Sequence, residues 1–248
     1  MRGFRKGKDH NDILLGYLSD NPTGKWKGGF KEDASKEEME LIYDEIYADQ
    51  HGLCAYCEIS LKWPTTDFVN DFRVEHFHPE NCGDDESHNY SLDWNNLLGC
   101  CHGGSQKTAR SFNGKFPGAS EQSCDVPKGN KILDEKILNP LQDLNVNESV
   151  FSFKENGEIL VSDQCPENIR LKAEGTIKEL NLDCLRLRWH RSEIISDLQA
   201  RILSSITDPE DLDSISLVVE ELKKDLIFPA SPRREFYSTI DWYLSGQI

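Results

Sequence analysis

The chain predicts an α+β fold, mostly helical, in which a small metal-stapled core carries a C-terminal helical lobe. Three observations predict it. A Cys-x-x-Cys knuckle at Cys54 and Cys57 is followed by further cysteines at Cys100, Cys101 and Cys124, the pattern of a metal site whose ligands come from separated segments. Between the two groups lie short ordered segments carrying the acid–His dipeptide Glu75-His76 and then Asn96-Leu97. Beyond Pro166, apolar residues recur at steps of three and four, the period of helices with one buried face. The chain accordingly divides into an N-terminal helical segment (1–52), the metal core (53–140), and a hairpin with a helical bundle (141–248) suited to docking a partner.

Each element has its own signal. Ser35 and Glu38 form a capping box at the first convincing helix, and Met39, Ile42, Ile46 and Tyr47 follow at helical spacing. Gly52 stands where a helix closes on a left-handed residue, so the chain passes directly into the knuckle. Residues 68–77 alternate enough to carry a short strand with Val74 inward and Glu75 at its end; His76 falls at the strand end or in the adjoining turn. After a polar loop over 79–89, Asp93 opens the ordered run Trp94-Asn95-Asn96-Leu97-Leu98. The Gly-, Ser-, Lys- and Gln-rich stretch from Cys101 to Ser123 reads as an insertion in the core and as its most mobile part. Asn156-Gly157 predicts a hairpin turn between Phe151, Phe153 and Ile159, Val161. Ile195, Leu198, Ile202 and Ile206 mark one helix. Asp208-Pro209 caps the next, which carries Leu212, Ile215, Val219, Leu222 and Leu226, and a last helix from Ser231-Pro232 carries Phe236, Ile240 and Tyr243. Such stripes are packing or docking surfaces rather than catalytic ones.

Composition sets further limits. At 37% hydrophobic and 29% charged over 248 residues, the chain is that of an ordinary soluble protein. Its start lacks a signal-peptide core, and no apolar run approaches the roughly twenty residues of a membrane span. A cytoplasmic location follows, where eight cysteines read as metal ligands and buried thiols rather than disulfides. The net charge of −16, from 44 acids against 28 bases, opposes unaided binding of a polyanion. Positive charge is concentrated in two places. Arg2, Arg5, Lys6 and Lys8 read as a solvated tail, whereas Arg186, Arg188, His190 and Arg191, beside Trp189, read equally as a polar helix face or as one that contacts phosphate or a partner.

Cys54 and Cys57 form one half of a zinc site. Spacing alone leaves the other half open among Cys100, Cys101 and Cys124, with His102 able to replace a thiol. Cys82, Cys165 and Cys184 lack paired spacing and read as buried free thiols. A redox role for the knuckle is set aside, because no thioredoxin-like strand–helix alternation surrounds it.

Taken together, CAYCE (54–58), VEHFHPE (74–80), DWNNLLGCC (93–101) and SCDVPKGNK (123–131) resemble the HNH nucleases, and among them the PtuB family of the Septu anti-phage systems and related retron-associated nucleases. The likeness continues through ILNPL (137–141), FSFKENGEI (151–159) and EGTIKELNLDCLRLR (174–188), and so covers most of the chain. It implies a zinc-stapled ββα-metal (HNH) core. The family pattern places its third thiol five residues after the asparagine, which selects Cys101 over Cys100, and its fourth before a short polar helix, which selects Cys124.

The same resemblance implies hydrolysis of a phosphodiester. That reaction needs a base for the attacking water and a divalent metal for the developing charge. His76 would be the base, Glu75 an oxygen ligand for Mg2+ or Mn2+, and Asn96 a brace for the strand that carries the histidine. Asp125 stands where the family has its last histidine or asparagine and would be the second metal ligand. His78 is a spare: a metal contact, a phosphate contact or, first of these, a surface residue. Trp63 and Trp94 read as packing rather than base-stacking platforms. DNA is the expected substrate, with RNA as the alternative. The expected partner is a PtuA-type ABC/SMC-like ATPase in a hetero-oligomer that supplies the missing basic surface, with no membrane involved. The competing reading is a non-catalytic zinc-stapled adaptor that binds the ATPase or nucleic acid; a scaffold, however, has no need of Glu75, His76 and Asn96 together.

Overall fold

Local capping starts the first helices. In the computed structural model, which describes residues 1–62, 71–80, 88–105, 116, 118–206, 212–227 and 232–246, Asn11 caps helix α1 (Asp12–Asp20) by accepting from Leu14 N at 3.0 Å. This helix precedes the one expected first. Its signal was an asparagine in front of a short apolar run. After an irregular turn over Trp26–Phe30 and the one-turn helix α2 (Lys31–Asp33), Ser35 and Glu38 form the predicted capping box on α3 (Lys36–Asp49). Gly52, at φ +78°, then turns the chain into the knuckle.

The core sheet has two short antiparallel strands. β1 (Arg73–His76) pairs with β2 (Leu97–Cys100), with Glu75 opposite Leu98 and His76 opposite Leu97. Helix α3 lies so close to β2 that a Cβ on Gly99 would stand 2.8 Å from Ile46 and 2.9 Å from Phe72. Gln50, just past α3, satisfies the outer edge of β2: it donates to Gly99 O at 2.8 Å and accepts from Gly99 N at 2.7 Å. The four-residue helix α4 (Asp125–Lys128) follows.

The second sheet is the predicted hairpin. β3 (Phe151–Phe153) and β4 (Ile159–Val161) pair with Phe151 opposite Val161, and Gly157 takes φ +77° in the turn. Helices α5 (Glu167–Glu179), α6 (Leu185–Ser205), α7 (Leu212–Leu226) and α8 (Tyr237–Ser245) complete the chain. One apolar cluster joins Trp26, Ile42, Leu97, Ile137, Phe151 and Leu187, and so draws on all three sequence segments. A smaller one packs Ile195, Leu198, Val219, Ile240 and Leu244 in the C-terminal bundle. Among the described residues, no helix is long and apolar enough to cross a membrane. Residues 68–70, the interior of the insertion, Trp63, Cys82, the Asp208-Pro209 cap and Ser231 lie outside the described residues.

Both basic groups differ from expectation. Residues 1–8 are not a solvated tail. Phe4 is buried, its N–H donates to Pro140 O at 3.2 Å, and the Lys6 ammonium lies 3.7 Å from the centre of the Trp94 ring. The α6 arginines turn inward because Leu187 buries the start of that helix against the core. Arg186 donates to Ser123 Oγ at 2.7 Å, Arg188 pairs with Asp183, and Arg191 donates to Gly157 O at 2.7 Å and Leu182 O at 2.9 Å.

Candidate metal centre and active site

The knuckle is held in shape by its own backbone. Cys54 N donates to Ile59 O at 2.8 Å, Glu58 N donates to Cys54 O at 3.1 Å, and Ala55 N ties the loop to β2 through Gly99 O at 3.0 Å. Cys101 directly follows β2. Cys124 arrives from the far end of the insertion because Ser123 N donates to Gly103 O at 2.9 Å. Gly103, at φ +56°, has no room for a side chain: a Cβ there would lie 2.1 Å from Ser123 O.

These constraints bring Cys54, Cys57, Cys101 and Cys124 together, all buried, with their sulfurs within 4.8 Å of one another. Individual separations are 3.8 Å for Cys54–Cys124, 3.5 Å for Cys57–Cys101 and 3.6 Å for Cys101–Cys124. A tetrahedron of sulfurs around zinc, with bonds of about 2.3 Å, has edges of about 3.8 Å, so the cage fits such an ion. Burial, and then the neighbouring sulfurs, push the Cys124 thiol well up, and a bound cation is what lets such sulfurs ionise together. The four cysteines can therefore hold a structural metal. Cys100 is buried outside this set, and Cys165 and Cys184 are buried free thiols. His102 is engaged elsewhere, with its ring Nδ1 3.1 Å from Asp71 Oδ1.

Next to the cage, strand and helix periodicity converge. Alternation places Arg73 and Glu75 on one side of β1, and a three-residue step places Asp125 and Lys128 on one face of α4. The two faces meet. Lys128 Nζ lies 2.6 Å from Glu75 Oε1, and the Arg73 guanidinium bonds Asp125 Oδ1. The Glu75 and Asp125 carboxyls lie close enough to act on each other electrostatically. Burial, and then the charge of Asp125, push Glu75 up to about 8, and burial also raises Asp125. A bound cation would offset that cost and favour the ionised pair. Tyr56, in the knuckle, leaves a buried hydroxyl without a hydrogen-bond partner. Its pKa is pushed well up by burial first and then by the charge of Glu75.

His76 is held separately. Its Nε2 lies 2.8 Å from Ser91 O, and because a carbonyl only accepts, Nε2 carries the proton and Nδ1 the lone pair. The ring meets Trp26 edge-on at 6.0 Å, and burial lowers its pKa, which keeps it neutral. Ser91 is anchored in turn: Trp26 N donates to its hydroxyl at 2.7 Å, and the hydroxyl lies 3.1 Å from Glu80 Oε1. Asn96 bonds both main-chain groups of His78 and donates to Tyr90 O at 2.7 Å. His78 itself is half-buried rather than a surface residue, with Nδ1 2.6 Å from Asp134 Oδ2 and its ring against Tyr90. Trp94 is buried packing.

Of the three groups expected around one cation, the structure thus brings Glu75 and Asp125 together and gives His76 its own partners. Among the described residues, the four cysteines are the one group of three or more His, Cys, Asp or Glu ligands this close. The reason is local: successive strand residues project to different sides. Sequence reasoning passed over Arg73, Lys128 and Ser91. Arg73 lies two residues before Glu75 and Lys128 three after Asp125, so periodicity could have found both; a main-chain carbonyl such as that of Ser91 carries no sequence signal.

No family model matches the chain. It is 30% identical over 209 residues to the "Retron Ec83 putative HNH endonuclease" of Escherichia coli, covering 75% of this chain and 76% of that protein.

Proposed function

The chain belongs to the HNH endonuclease family, and we propose that it is a metal-dependent endonuclease hydrolysing nucleic-acid phosphodiester bonds. DNA is the first substrate to test and RNA the alternative. The observation that carries this reading is the meeting of Glu75 and Asp125, one residue along from the sulfur cage, where α4 reaches β1.

The donor sets suit two different ions. Four thiolates select a soft metal, and zinc is the structural ion assigned to Cys54, Cys57, Cys101 and Cys124. Two carboxylates suit Mg2+ or Mn2+, which are commonly held by one or two such groups together with substrate phosphates, so Glu75 and Asp125 would hold the catalytic ion. When bound, that ion neutralises charge developing on the phosphate and on the leaving oxygen. His76 takes the proton of the attacking water at Nδ1. The Ser91 carbonyl holds Nε2–H and with it the tautomer, while Asn96 fixes the main chain two residues further on.

We assign the protein to a cytoplasmic anti-phage complex of the PtuB type, as the effector of a PtuA-type ABC/SMC-like ATPase docked through residues 141–248. The support is electrostatic. The net charge is −16, and Arg186, Arg188 and Arg191 are engaged internally, so a partner that binds nucleic acid supplies what this chain lacks. In a nicking assay with Mg2+ and the co-encoded ATPase, His76→Ala should retain its zinc and its partner binding and lose cutting. Unchanged nicking by this variant would remove the assignment.

One observation favours the adaptor reading: both carboxylates already have internal cations, Lys128 and Arg73. An adaptor would show no cutting of DNA or RNA under any metal, with or without the ATPase.

A further inference from the structure

Lys128 is the least expected residue of the site. Its side chain is 1% exposed, and its ammonium donates to Glu75 Oε1 at 2.6 Å and to the His76 carbonyl at 2.8 Å. A lysine is almost never buried to this degree unless it is paired. Arg73, on the same side of β1 as Glu75, does for Asp125 what Lys128 does for Glu75. Each carboxylate thus has one oxygen on an internal cation, and with both acids ionised the four side chains sum to no net charge.

We propose that Lys128 and Arg73 are positioning residues that keep the Glu75–Asp125 site electrically neutral, so that a hard divalent cation binds together with a phosphodiester and only weakly before it. The proposal rests on the reading of Glu75 and Asp125 as the cation site. With two bare carboxylates, a divalent ion would meet two compensating charges. In this site it also meets the ammonium of Lys128 and the guanidinium of Arg73, and like charges at such range repel strongly in a water-poor environment. A phosphodiester brings one negative charge to the same place and offsets one of the two. By linkage, whatever the phosphate contributes to metal binding the metal contributes to phosphate binding. The cationic pair thereby ties occupancy of the metal to the presence of substrate. Lys128 acts on the reaction through Glu75 and the His76 main chain, without itself needing to touch the phosphate.

The test uses the full chain with its zinc in place, confirmed by metal analysis, and Mn2+ as the probe, followed by electron paramagnetic resonance without nucleic acid. Lys128→Met should bind Mn2+ more tightly than the parent by about tenfold, within the range typical of coupling between sites. Lys128→Gln, which keeps a donor for Glu75 and His76 without the charge, should tighten binding as well, and it guards against a folding defect in the methionine variant. Adding a short phosphorothioate DNA duplex should tighten Mn2+ binding in the parent more than in either variant. Mn2+ binding that depends on Glu75, as judged by Glu75→Gln, but is not tightened by either Lys128 substitution would overturn the inference alone. Mn2+ binding indifferent to Glu75→Gln in all three backgrounds would overturn both the inference and the cation-site reading beneath it.

Discussion

Asn96 grips the main chain of His78 from both sides, accepting from its N–H at 2.7 Å and donating to its carbonyl at 2.8 Å. A third bond, to Tyr90 O at 2.7 Å, uses the second amide proton. The side chain is buried, so none of these groups has water as a substitute. Asn96→Asp keeps the acceptor but sets a carboxylate oxygen against two carbonyls. Urea denaturation should show a loss of about 2–4 kcal/mol, the scale of buried polar groups left unpaired, and one at least as large as for Asn96→Ala. An aspartate variant as stable as the parent would mean the amide orientation is not what holds this loop.

The sulfur cage makes a claim about which cysteine is dispensable. Cys100 is as buried as its neighbour but stands outside the group of four. Cys100→Ala should therefore keep one equivalent of zinc, while Cys101→Ser and Cys124→Ser lose it and melt at lower temperature. Stoichiometry by atomic absorption on the purified variants decides the matter, and zinc lost from the Cys100 variant would contradict the ligand set. Chelation of the parent should unfold the core, because metal binding and folding are coupled in such sites.

His190 should make the fold sensitive to acid. Burial, with Arg186 and Arg191 nearby, lowers its pKa from 6.5 to about 4. The unfolded chain then takes up a proton at this position before the folded one does, so stability falls as the pH drops from about 6.5 towards 4. His190→Gln should flatten that part of the curve of melting temperature against pH. The same slope in parent and variant would rule His190 out as its source.

Arg191 is a structural cation rather than a nucleic-acid contact. Its guanidinium closes the hairpin turn onto α6 through Gly157 O and Leu182 O, and it is 2% exposed. Arg191→Met should cost about 2–3 kcal/mol through the carbonyls left unpaired. At temperatures where the variant is folded, its affinity for DNA, measured with the proposed ATPase partner, should not change. Weaker DNA binding at unchanged stability would reverse this assignment.

Much of the architecture was legible because it rests on local chemistry. The Ser35–Glu38 capping box, the Asn156-Gly157 turn and the apolar stripes of the C-terminal helices each declare themselves within a few residues. The knuckle was equally plain, whereas choosing Cys101 and Cys124 required a family pattern, since spacing left three candidates open. What escaped was tertiary. Charge counted along the sequence suggested a basic tail and a basic helix face, yet burial of Phe4 and Leu187 carries Arg2, Lys6 and the α6 arginines to carbonyls, carboxylates and an aromatic ring, while Arg5 and Lys8 stay exposed. Periodicity could place Arg73 beside Glu75 and Lys128 beside Asp125, but not the crossed pairing: only the contact between β1 and α4 sets Lys128 on Glu75 and Arg73 on Asp125.

The hydrogen bond from Ser123 to Gly103 closes the long connection at its neck, just outside the two thiols that it separates. Whatever runs between those two points, its entropy of closure changes only slowly with the number of residues it contains. The connection can therefore lengthen or shorten over evolution, or accept a grafted peptide in the laboratory, without disturbing the positions of the sulfurs.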